Sequence, residues 1–246
     1  MTIHVFNGFT CNARWPSRLK TGLVCTLVET DQGLVLIDTG PGLRDYAHPH
    51  GMLRLFQVIT SIKMDPQETA INQVQRLSYN PDEVRHIVLT HMHFDHCGGL
   101  PDFPLAKVHV HHREYETFTG GMRRWTDMAY VQRHIEHGPD WAQYNHTGEK
   151  WYDFDAIRLP FEPEMWMVPL HGHTWGQCGV AVKLENGWFF NVADAGAVYN
   201  EVTPAWLIRL VLGPHDARLR RFMHAHAEVR MASSHMWPEW FEKSQW

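Results

Sequence analysis

The stretch His91-Met92-His93-Phe94-Asp95-His96 places four potential metal ligands within six residues. The apolar run before it, residues 87–90, predicts a buried strand that delivers these side chains to the edge of a sheet. Because side chains alternate along an extended backbone, His91 and His93 lie on the same side, and the last two ligands lie past the turn. Imidazole and carboxylate together suit zinc, iron, manganese or a related divalent ion. One short segment could therefore serve two adjacent metal ions.

Three more candidate positions follow strand-like runs further along the chain. They are the His171-Gly172-His173-Thr174 segment after residues 165–170, Asp194 after residues 189–193, and His235 after residues 229–234. Side chains at strand ends can converge on one edge of a sheet, where functional sites are common. A two-metal site needs roughly six or seven protein ligands, so these positions complete the set. The residues alone leave open whether His171 or His173 is the ligand.

Composition limits the classes of function. The 246 residues contain 44% hydrophobic side chains and carry a net charge of −5, which suits a protein with a sizeable buried core. The densest basic stretch, residues 218–221, predicts a solvated helix face. A nucleic-acid partner is not expected, because it would need a concentrated basic surface. No apolar run approaches the roughly eighteen residues of a membrane span, so no membrane partner is expected either.

The four cysteines and residues 1–20 indicate the cellular compartment in which the protein is expected. Cys11, Cys25, Cys97 and Cys178 form no Cys-x-x-Cys pair, which in a chain of this length indicates free thiols in a reducing compartment. Residues 1–20 contain no apolar segment typical of a secretory leader. We therefore expect a cytoplasmic protein that acts on a small molecule.

Strand and helix signals alternate along the chain. Strands are predicted at 3–6, 23–30, 34–37, 84–90, 107–110, 165–168, 179–184, 188–192 and 229–232, and helices at 66–78, 112–118, 122–135 and 216–226. Asp31-Gln32-Gly33 and Asn186-Gly187 mark tight turns, and residues 38–42 form a glycine-rich loop. This order predicts two packed sheets flanked by helices in a single domain, 1–246.

Residues 112–160 are expected to form a helical, aromatic insertion. They include Trp125, Tyr130, Trp141, Tyr144, Trp151 and Tyr152. These side chains could line an apolar pocket for an acyl chain or an aromatic group. The alternative is that they pack on the core or at a homodimer interface, because aromatic residues at helical spacing usually do so.

These features together resemble the metallo-β-lactamase superfamily of hydrolases. The matching segments, in order, are Leu36-Ile37-Asp38-Thr39-Gly40, the His-x-His-x-Asp-His run, Gly172-His173-Thr174, Asp194 and His235. The resemblance extends from about residue 23 to 237 and implies an α/β (α+β) fold, a four-layer αββα sandwich with the metals at one edge. Within the superfamily, residues 89–96 followed by Gly98-Gly99 are most similar to N-acyl-homoserine lactonases.

The resemblance also implies a role for each residue. The implied ligands are His91, His93 and His173 for one ion, Asp95, His96 and His235 for the other, with Asp194 bridging both. Asp38 would orient a ligand imidazole, a role that strengthens metal binding. Two divalent ions per chain are expected, zinc by preference, with iron, manganese or cobalt as alternatives.

The chain departs from the superfamily pattern in two places. Trp175 and Gln177 stand where the superfamily usually has proline and a second histidine, which is not generally a metal ligand. The lactonases place a catalytic tyrosine three residues after the bridging aspartate. That position is Ala197 here, and Tyr199 is the nearest tyrosine, so Tyr199 becomes the catalytic candidate.

The expected reaction is hydrolysis of an ester or lactone by a metal-bridging hydroxide, with Asp95 as the proton shuttle. The alternatives are hydrolysis of a thioester, phosphoester or β-lactam at the same site, an iron-dependent dioxygenase, and a non-catalytic metal-binding module. An RNA-processing nuclease is disfavoured, because the chain lacks both an extra domain and a basic face.

Overall fold

Two β-sheets lie face to face, and helices cover their outer faces. The computed structural model describes residues 2–12, 20–60, 65–121, 125–145, 148–196, 209, 211–236 and 238–243. The strands, in chain order, are β1 Ile3–Asn12, β2 Lys20–Thr30, β3 Gly33–Ile37, β4 Val84–Val88, β5 Lys107–His111, β6 Asp140–Tyr144, β7 Lys150–Trp151, β8 Phe154–Asp155, β9 Ile157–Arg158, β10 Met165–Pro169, β11 Cys178–Leu184, β12 Gly187–Asn191, β13 Val229–Ala232 and β14 His235–Met236. The helices are α1 Leu43–Ala47, α2 Gly51–Thr60, α3 Ala70–Arg76, α4 Phe94–Cys97, α5 His112–Thr119, α6 Asp216–Ala225 and α7 Pro238–Lys243.

The first sheet has the order β1-β2-β3-β4-β5-β6, and β14 also pairs with β2. Strands β1, β2 and β3 are antiparallel, and the turn before Gly33 uses its positive φ of 98°. Strands β3, β4, β5 and β6 run parallel to one another. The carboxyl ends of β3, β4 and β5 therefore meet at the same edge of the sheet.

The second sheet has the order β13-β12-β11-β10-β9. Strand β11 is antiparallel to both β10 and β12, and β12 is parallel to β13. Strands β10, β12 and β13 therefore point the same way. The chain then passes from β13 to β14 through Ser233 and Ser234 alone, and so leaves the second sheet for the first at one rim.

Three apolar clusters fill the spaces between the layers. The cluster between the two sheets includes Val24, Val28, Val35, Ile37, Met167, Val180, Val182 and Phe189. The cluster beneath the helices of the first sheet includes Leu36, Leu53, Val74, Ile87, Leu89, Phe94 and Phe118. The cluster beneath α6 includes Val168, Ala181, Trp188, Phe190, Leu219 and Phe222. The layers are thus helix, sheet, sheet and helix, and the predicted αββα sandwich is confirmed.

Residues 112–160 differ from the helical insertion that we predicted. Among the described residues of this segment, α5 is the single α-helix, and the described part of the helix predicted at 122–135 forms two short 3-10 helices, Trp125–Ala129 and Gln132–Ile135. Strand β6 extends the first sheet, and β9 extends the second. Strand β6 forms because the edge of β5 is available to residues 140–144, a tertiary contact that local spacing does not reveal.

The structure also bears on the membrane and disulfide predictions. Among the helices described here, none has the length and apolar character that crossing a bilayer requires. Cys25, Cys97 and Cys178 are buried and form no disulfide. Cys97 lies beside the metal-binding motif, where its Sγ donates to the carbonyl of Met92 at 3.2 Å.

Candidate metal centre

The carboxyl ends of strands from both sheets meet at one rim of the sandwich. Asp38 follows β3, the motif at 91–96 follows β4, His173 follows β10, Asp194 follows β12, and His235 begins β14. The fold therefore brings to one place side chains that are widely separated in the sequence.

The motif presents its ligands because its apolar residues point the other way. Met92 has no exposed surface and Phe94 is 1% exposed, and both belong to the cluster beneath the helices. They alternate with His91 and His93, which the extended backbone before α4 turns toward the rim. Helix α4 is a single turn, and it carries Asp95 and His96 to a second position beside the first.

The glycine-rich loop at 38–42 holds the end of this helix. Thr39 N donates to the His96 carbonyl at 2.8 Å, and Gly99 N donates to the Gly40 carbonyl at 2.8 Å. A Cβ on Gly98 would lie 2.5 Å from a carboxylate oxygen of Asp45, so no larger residue fits without displacement. The Gly98-Gly99 pair that follows the motif is therefore a packing requirement.

His91, His93 and His173 form the first donor group. One ring nitrogen of each lies within 4.8 Å of those of the other two. Nε2 of His173 is 3.1 Å from Nδ1 of His93. The other nitrogen of the His173 ring, Nδ1, donates to the Val211 carbonyl at 2.8 Å, which fixes the orientation of the ring.

Asp95, His96 and His235 form the second donor group, again within 4.8 Å of one another. Asp95 Oδ2 is 3.8 Å from Nε2 of His96 and 3.6 Å from Nε2 of His235. Asp194 lies between the two groups, because its Oδ2 is 3.4 Å from Nε2 of His173 and 3.8 Å from that of His235.

The arrangement fits metal ions better than it fits hydrogen bonding. Nε2 of His91 and Nε2 of His96 are buried and have no hydrogen-bond partner among the described residues. Orphaned buried polar atoms are rare unless a ligand satisfies them. The 3.1 Å between the nitrogens of His93 and His173 is also close to the roughly 3.3 Å expected for two nitrogens about 2.0–2.1 Å from one tetrahedral zinc ion.

The charge environment differs between the two groups. Burial lowers the pKa of His93 to about 3, and the neighbouring His173 adds to the effect. Burial also acts on His96, but the carboxylates of Asp95 and Asp38 outweigh it and raise the pKa of His96 to about 9. Burial lowers the pKa of His91 as well, so both histidines of the motif in this group present neutral imidazole, the form that binds metals. The second group attracts positive charge, which a metal ion would supply in place of the proton.

Comparison with known proteins agrees with this geometry. The profile of the Metallo-beta-lactamase superfamily matches residues 22–206. The chain belongs to this superfamily. A Mycobacterium tuberculosis protein named a "probable metallo-hydrolase" is 36% identical over 198 residues, which cover 78% of this chain and only 62% of that relative's length.

Two further similarities are to lactonases of the superfamily. An N-acyl homoserine lactonase of Rhizobium johnstonii is 28% identical over 168 residues, which cover 64% of this chain and 58% of the lactonase. A solved structure of an N-acyl homoserine lactone hydrolase, with N-hexanoyl-L-homoserine at its catalytic metal center, aligns with a TM-score of 0.70. That alignment has 18% identity and covers 99% of this chain and 96% of the other, so it shows a shared fold.

The structure brings together all seven residues that the superfamily resemblance implied. His171 stands apart from them. Its Nδ1 is 3.1 Å from the Gln177 carbonyl, and its ring packs against His111. It belongs to none of the candidate donor groups found in the described part of the chain. Tyr199, the catalytic tyrosine candidate, lies outside the described residues.

The aromatic residues of 112–160 are divided between the core and the site. The Tyr130 ring packs against His93, with ring centroids 5.1 Å apart. Trp151 is buried beneath α6, and Trp141 packs against Tyr115. Tyr144 is 2.8 Å from a ring nitrogen of His109. Among the aromatic side chains that the structure describes in this segment, Tyr130 alone contacts a proposed ligand, and Trp141 and Trp151 follow the alternative prediction of packing on the core. The side chain of Trp125 lies outside the described part.

Another cluster, which no sequence motif predicted, consists of Asp45, His50 and His134. Arg133 forms a short ion pair with Asp45, and Nε2 of His134 is 3.1 Å from the same carboxylate. The charge of Asp45 is therefore already balanced by arginine, and the cluster ties α1 to the 3-10 helix Gln132–Ile135. Nothing in the local sequence marks Asp45, because its partners are almost ninety residues away.

Proposed function

We propose that this chain is a dinuclear metal-dependent hydrolase that attacks an ester or lactone carbonyl. One observation carries the proposal: two donor groups of three residues lie side by side, and the Asp194 carboxylate lies between them. Membership of the superfamily and the metallo-hydrolase name of its mycobacterial relative support the same reaction class.

The proposed ligands of the first ion are His91, His93 and His173, those of the second are Asp95, His96 and His235, and Asp194 is proposed to bridge. Five imidazoles and two carboxylates form a nitrogen-rich set, which favours zinc. Iron, manganese and cobalt accept the same donors, so the choice among them depends on measurement.

Two bound divalent ions would lower the pKa of a shared water molecule and polarise the carbonyl of the substrate. The protein residues then have separate tasks. Burial raises the pKa of Asp95, but the charges of His96 and His235 outweigh it and hold that pKa below its usual range. The carboxylate is therefore ionised at neutral pH, and we assign it the task of accepting and returning the proton. A contribution from Tyr199 remains a prediction.

The substrate class is proposed from the relatives. One relative is named an N-acyl homoserine lactonase, and one structural neighbour holds N-hexanoyl-L-homoserine. A small lactone or ester is therefore the preferred substrate, and the position of Tyr130 beside His93 offers an aromatic wall for it. Thioester, phosphoester and β-lactam substrates use the same attack on an electrophilic centre, and they are the alternatives.

The test is a panel of one lactone, one ester, one thioester, one phosphoester and one β-lactam, with metal content measured on the same sample. We expect two metal ions per chain and the highest kcat/KM on the lactone or the ester. One iron per chain with consumption of dioxygen would instead indicate a dioxygenase. No turnover of any substrate by protein with two bound ions would leave only a metal-binding module.

A matched pair of variants makes the test specific. His173→Ala removes a proposed ligand, whereas His171→Ala removes a histidine two residues away that faces the Gln177 carbonyl. We expect the first variant to lose a metal ion and most activity, and the second to keep two ions. The reverse result would mean that His171 is the ligand.

Two broader proposals accompany this one. We propose that residues 1–246 act as one domain, because the donor groups draw on strands of both sheets. We also propose a cytoplasmic location, which the three buried cysteines without a disulfide, Cys25, Cys97 and Cys178, support. The homodimer and the absence of a nucleic-acid partner remain predictions.

A further inference from the structure

Glu114 has a fully buried carboxylate that the proposed reaction does not use. It lies in the first turn of α5 and has 0% exposure. A buried acid is costly unless it is paired or hydrogen-bonded. Burial raises the pKa of Glu114, and the hydrogen bonds that it accepts oppose this effect.

Four donors surround the carboxylate. One oxygen, Oε1, accepts from Met92 N at 2.9 Å and from the Tyr130 hydroxyl at 2.9 Å. The other, Oε2, accepts from the Thr174 hydroxyl at 2.7 Å and from Gly176 N at 3.0 Å. A carboxylate has about four acceptor positions, so this one is fully used.

Three of these donors, Met92 N, the Thr174 hydroxyl and Gly176 N, belong to the two loops that carry the first donor group. Met92 lies between His91 and His93, and Thr174 follows His173. A single side chain therefore joins two loops whose histidines are 80 residues apart in the sequence.

Tyr130 and Gly176 strengthen this connection. The Tyr130 hydroxyl is held by Glu114 while its ring packs on His93. A Cβ on Gly176 would lie 2.1 Å from the backbone nitrogen of Glu114, so only glycine allows the loop to approach so closely.

The second donor group has a different buried acid. Asp38 Oδ2 is 2.9 Å from Nδ1 of His96, and Asp38 makes its remaining hydrogen bonds with Thr90. Asp38 thus contacts a ligand ring directly, whereas Glu114 acts on His93 and His173 through their neighbours. Asp38 reaches the first group only indirectly, because the Thr90 hydroxyl that donates to it lies 3.2 Å from Nδ1 of His91.

We propose that Glu114 is a positioning residue that holds His93 and His173 at the spacing that one metal ion requires, and so sets the metal affinity of the first donor group. This inference rests on the proposed function, because it supposes that the group binds an ion. It assigns Glu114 no contact with substrate.

The test is Zn²⁺ titration of chelator-treated, reloaded protein against a competing chelator, for the wild type and for Glu114→Gln. The amide keeps the size of the side chain but turns an NH₂ group toward a backbone N–H at one end. We expect one site to bind Zn²⁺ about 10–100-fold more weakly and the other site to be unchanged. Glu116→Gln on the same helix is the control, because Glu116 is exposed, and it should leave both affinities as they are.

Thr174→Val is a second variant, which removes one donor and keeps both the carboxylate and the shape of the side chain. We expect a smaller loss of Zn²⁺ affinity at the same single site. If Glu114→Gln does not fold, the result for Thr174→Val tests the inference in its place. Urea denaturation of each variant separates metal affinity from stability.

Loss of stability with both Zn²⁺ affinities unchanged would overturn the inference, since Glu114 would then be only structural. Equal weakening of both sites would overturn it as well. If the wild type itself fails to bind two ions, the proposed function fails instead, so the two failures are distinguishable.

Discussion

The carboxylate of Asp38 lies 2.9 Å from Nδ1 of His96, and neither side chain has exposed surface. Asp38 also accepts hydrogen bonds from the backbone and the hydroxyl of Thr90, at 2.9 and 2.7 Å. Its backbone has a positive φ of 54°, a conformation that aspartate and asparagine tolerate better than most residues. The glycine-rich loop therefore places the Asp38 carboxylate against the ring of His96, a proposed metal ligand.

Asp38→Asn should weaken one metal site while preserving the fold. Asparagine tolerates the positive φ and has nearly the same shape, but its amide removes the charge that faces His96. We expect the second donor group to bind Zn²⁺ about 10–100-fold more weakly, as is usual for outer partners of a metal ligand. Competition with a chelator measures the affinity. Two unaltered Zn²⁺ affinities would show that the carboxylate does not act on His96.

His96→Ala should remove one metal ion and most of the activity. His96 contributes to the second donor group and is fully buried there. The loss should exceed the roughly 10–100-fold typical of residues that only support a ligand. Metal content and kcat/KM on the best substrate are measured on the same preparation. His226→Ala, at the end of α6, is the control, and full activity of His96→Ala with one ion would argue against a dinuclear mechanism.

Removal of metal should lower stability as well as activity. The proposed ligands come from four distant parts of the chain, so bound ions favour the folded state over the unfolded one. At a free Zn²⁺ concentration 1,000-fold above Kd, one site adds about 4.1 kcal/mol to the free energy of unfolding. Thermal unfolding with and without a chelator should show a Tm that rises with Zn²⁺. A Tm independent of Zn²⁺ would mean that no folded-state site exists.

The pH dependence of stability should carry a contribution from His109. It is 2% exposed, with one ring nitrogen 2.8 Å from the Tyr144 hydroxyl and the other 3.0 Å from His86. Burial lowers its pKa from 6.5 to about 3, and His86 adds to the effect. Because the folded pKa lies below the unfolded one, this contribution is complete above pH 6.5 and is lost as the pH falls toward 3.

His109→Gln tests this contribution by removing one titrating group. The free energy of unfolding of the wild type should fall more steeply than that of the variant below pH 6.5, by up to roughly 1.4 kcal/mol per pH unit. Urea denaturation of both proteins at pH 7.5 and pH 5 supplies the comparison. The other titrating groups, including the proposed ligands, are common to both proteins. Parallel pH profiles would show that the pKa of His109 is the same in the folded and unfolded states.

The sequence was sufficient for the parts of the site that are local or follow a strand. Four proposed ligands lie within 91–96, and Asp194 and His235 could be identified because each comes directly after a β-rich run. Glu114 could not be identified in this way. It lies two residues from the exposed Glu116, and only the tertiary structure distinguishes the buried acid from the solvated one. The sequence feature that could have indicated Glu114 is its position shortly after the predicted strand β5.

The region 112–160 was predicted less well than the rest. Residues 140–144 form a strand because β5 is beside them, and sequence spacing carries no information about that neighbour. The strand β14 was missed for the same reason. It has two residues, and its pairing with Gly22 and Leu23 depends on a contact across more than two hundred positions.

The passage through Ser233 and Ser234 has a consequence for how the two sheets can move relative to each other. Ser234 accepts a hydrogen bond from Val24 N and donates one to the carbonyl of Ala193, the residue before Asp194. These backbone hydrogen bonds therefore join the two sheets at the rim that carries the donor groups. Parting the two sheets there would pull His235 away from Asp194. We therefore expect a substrate to reach the donor groups between the surrounding loops, because these backbone hydrogen bonds oppose separation of the two sheets.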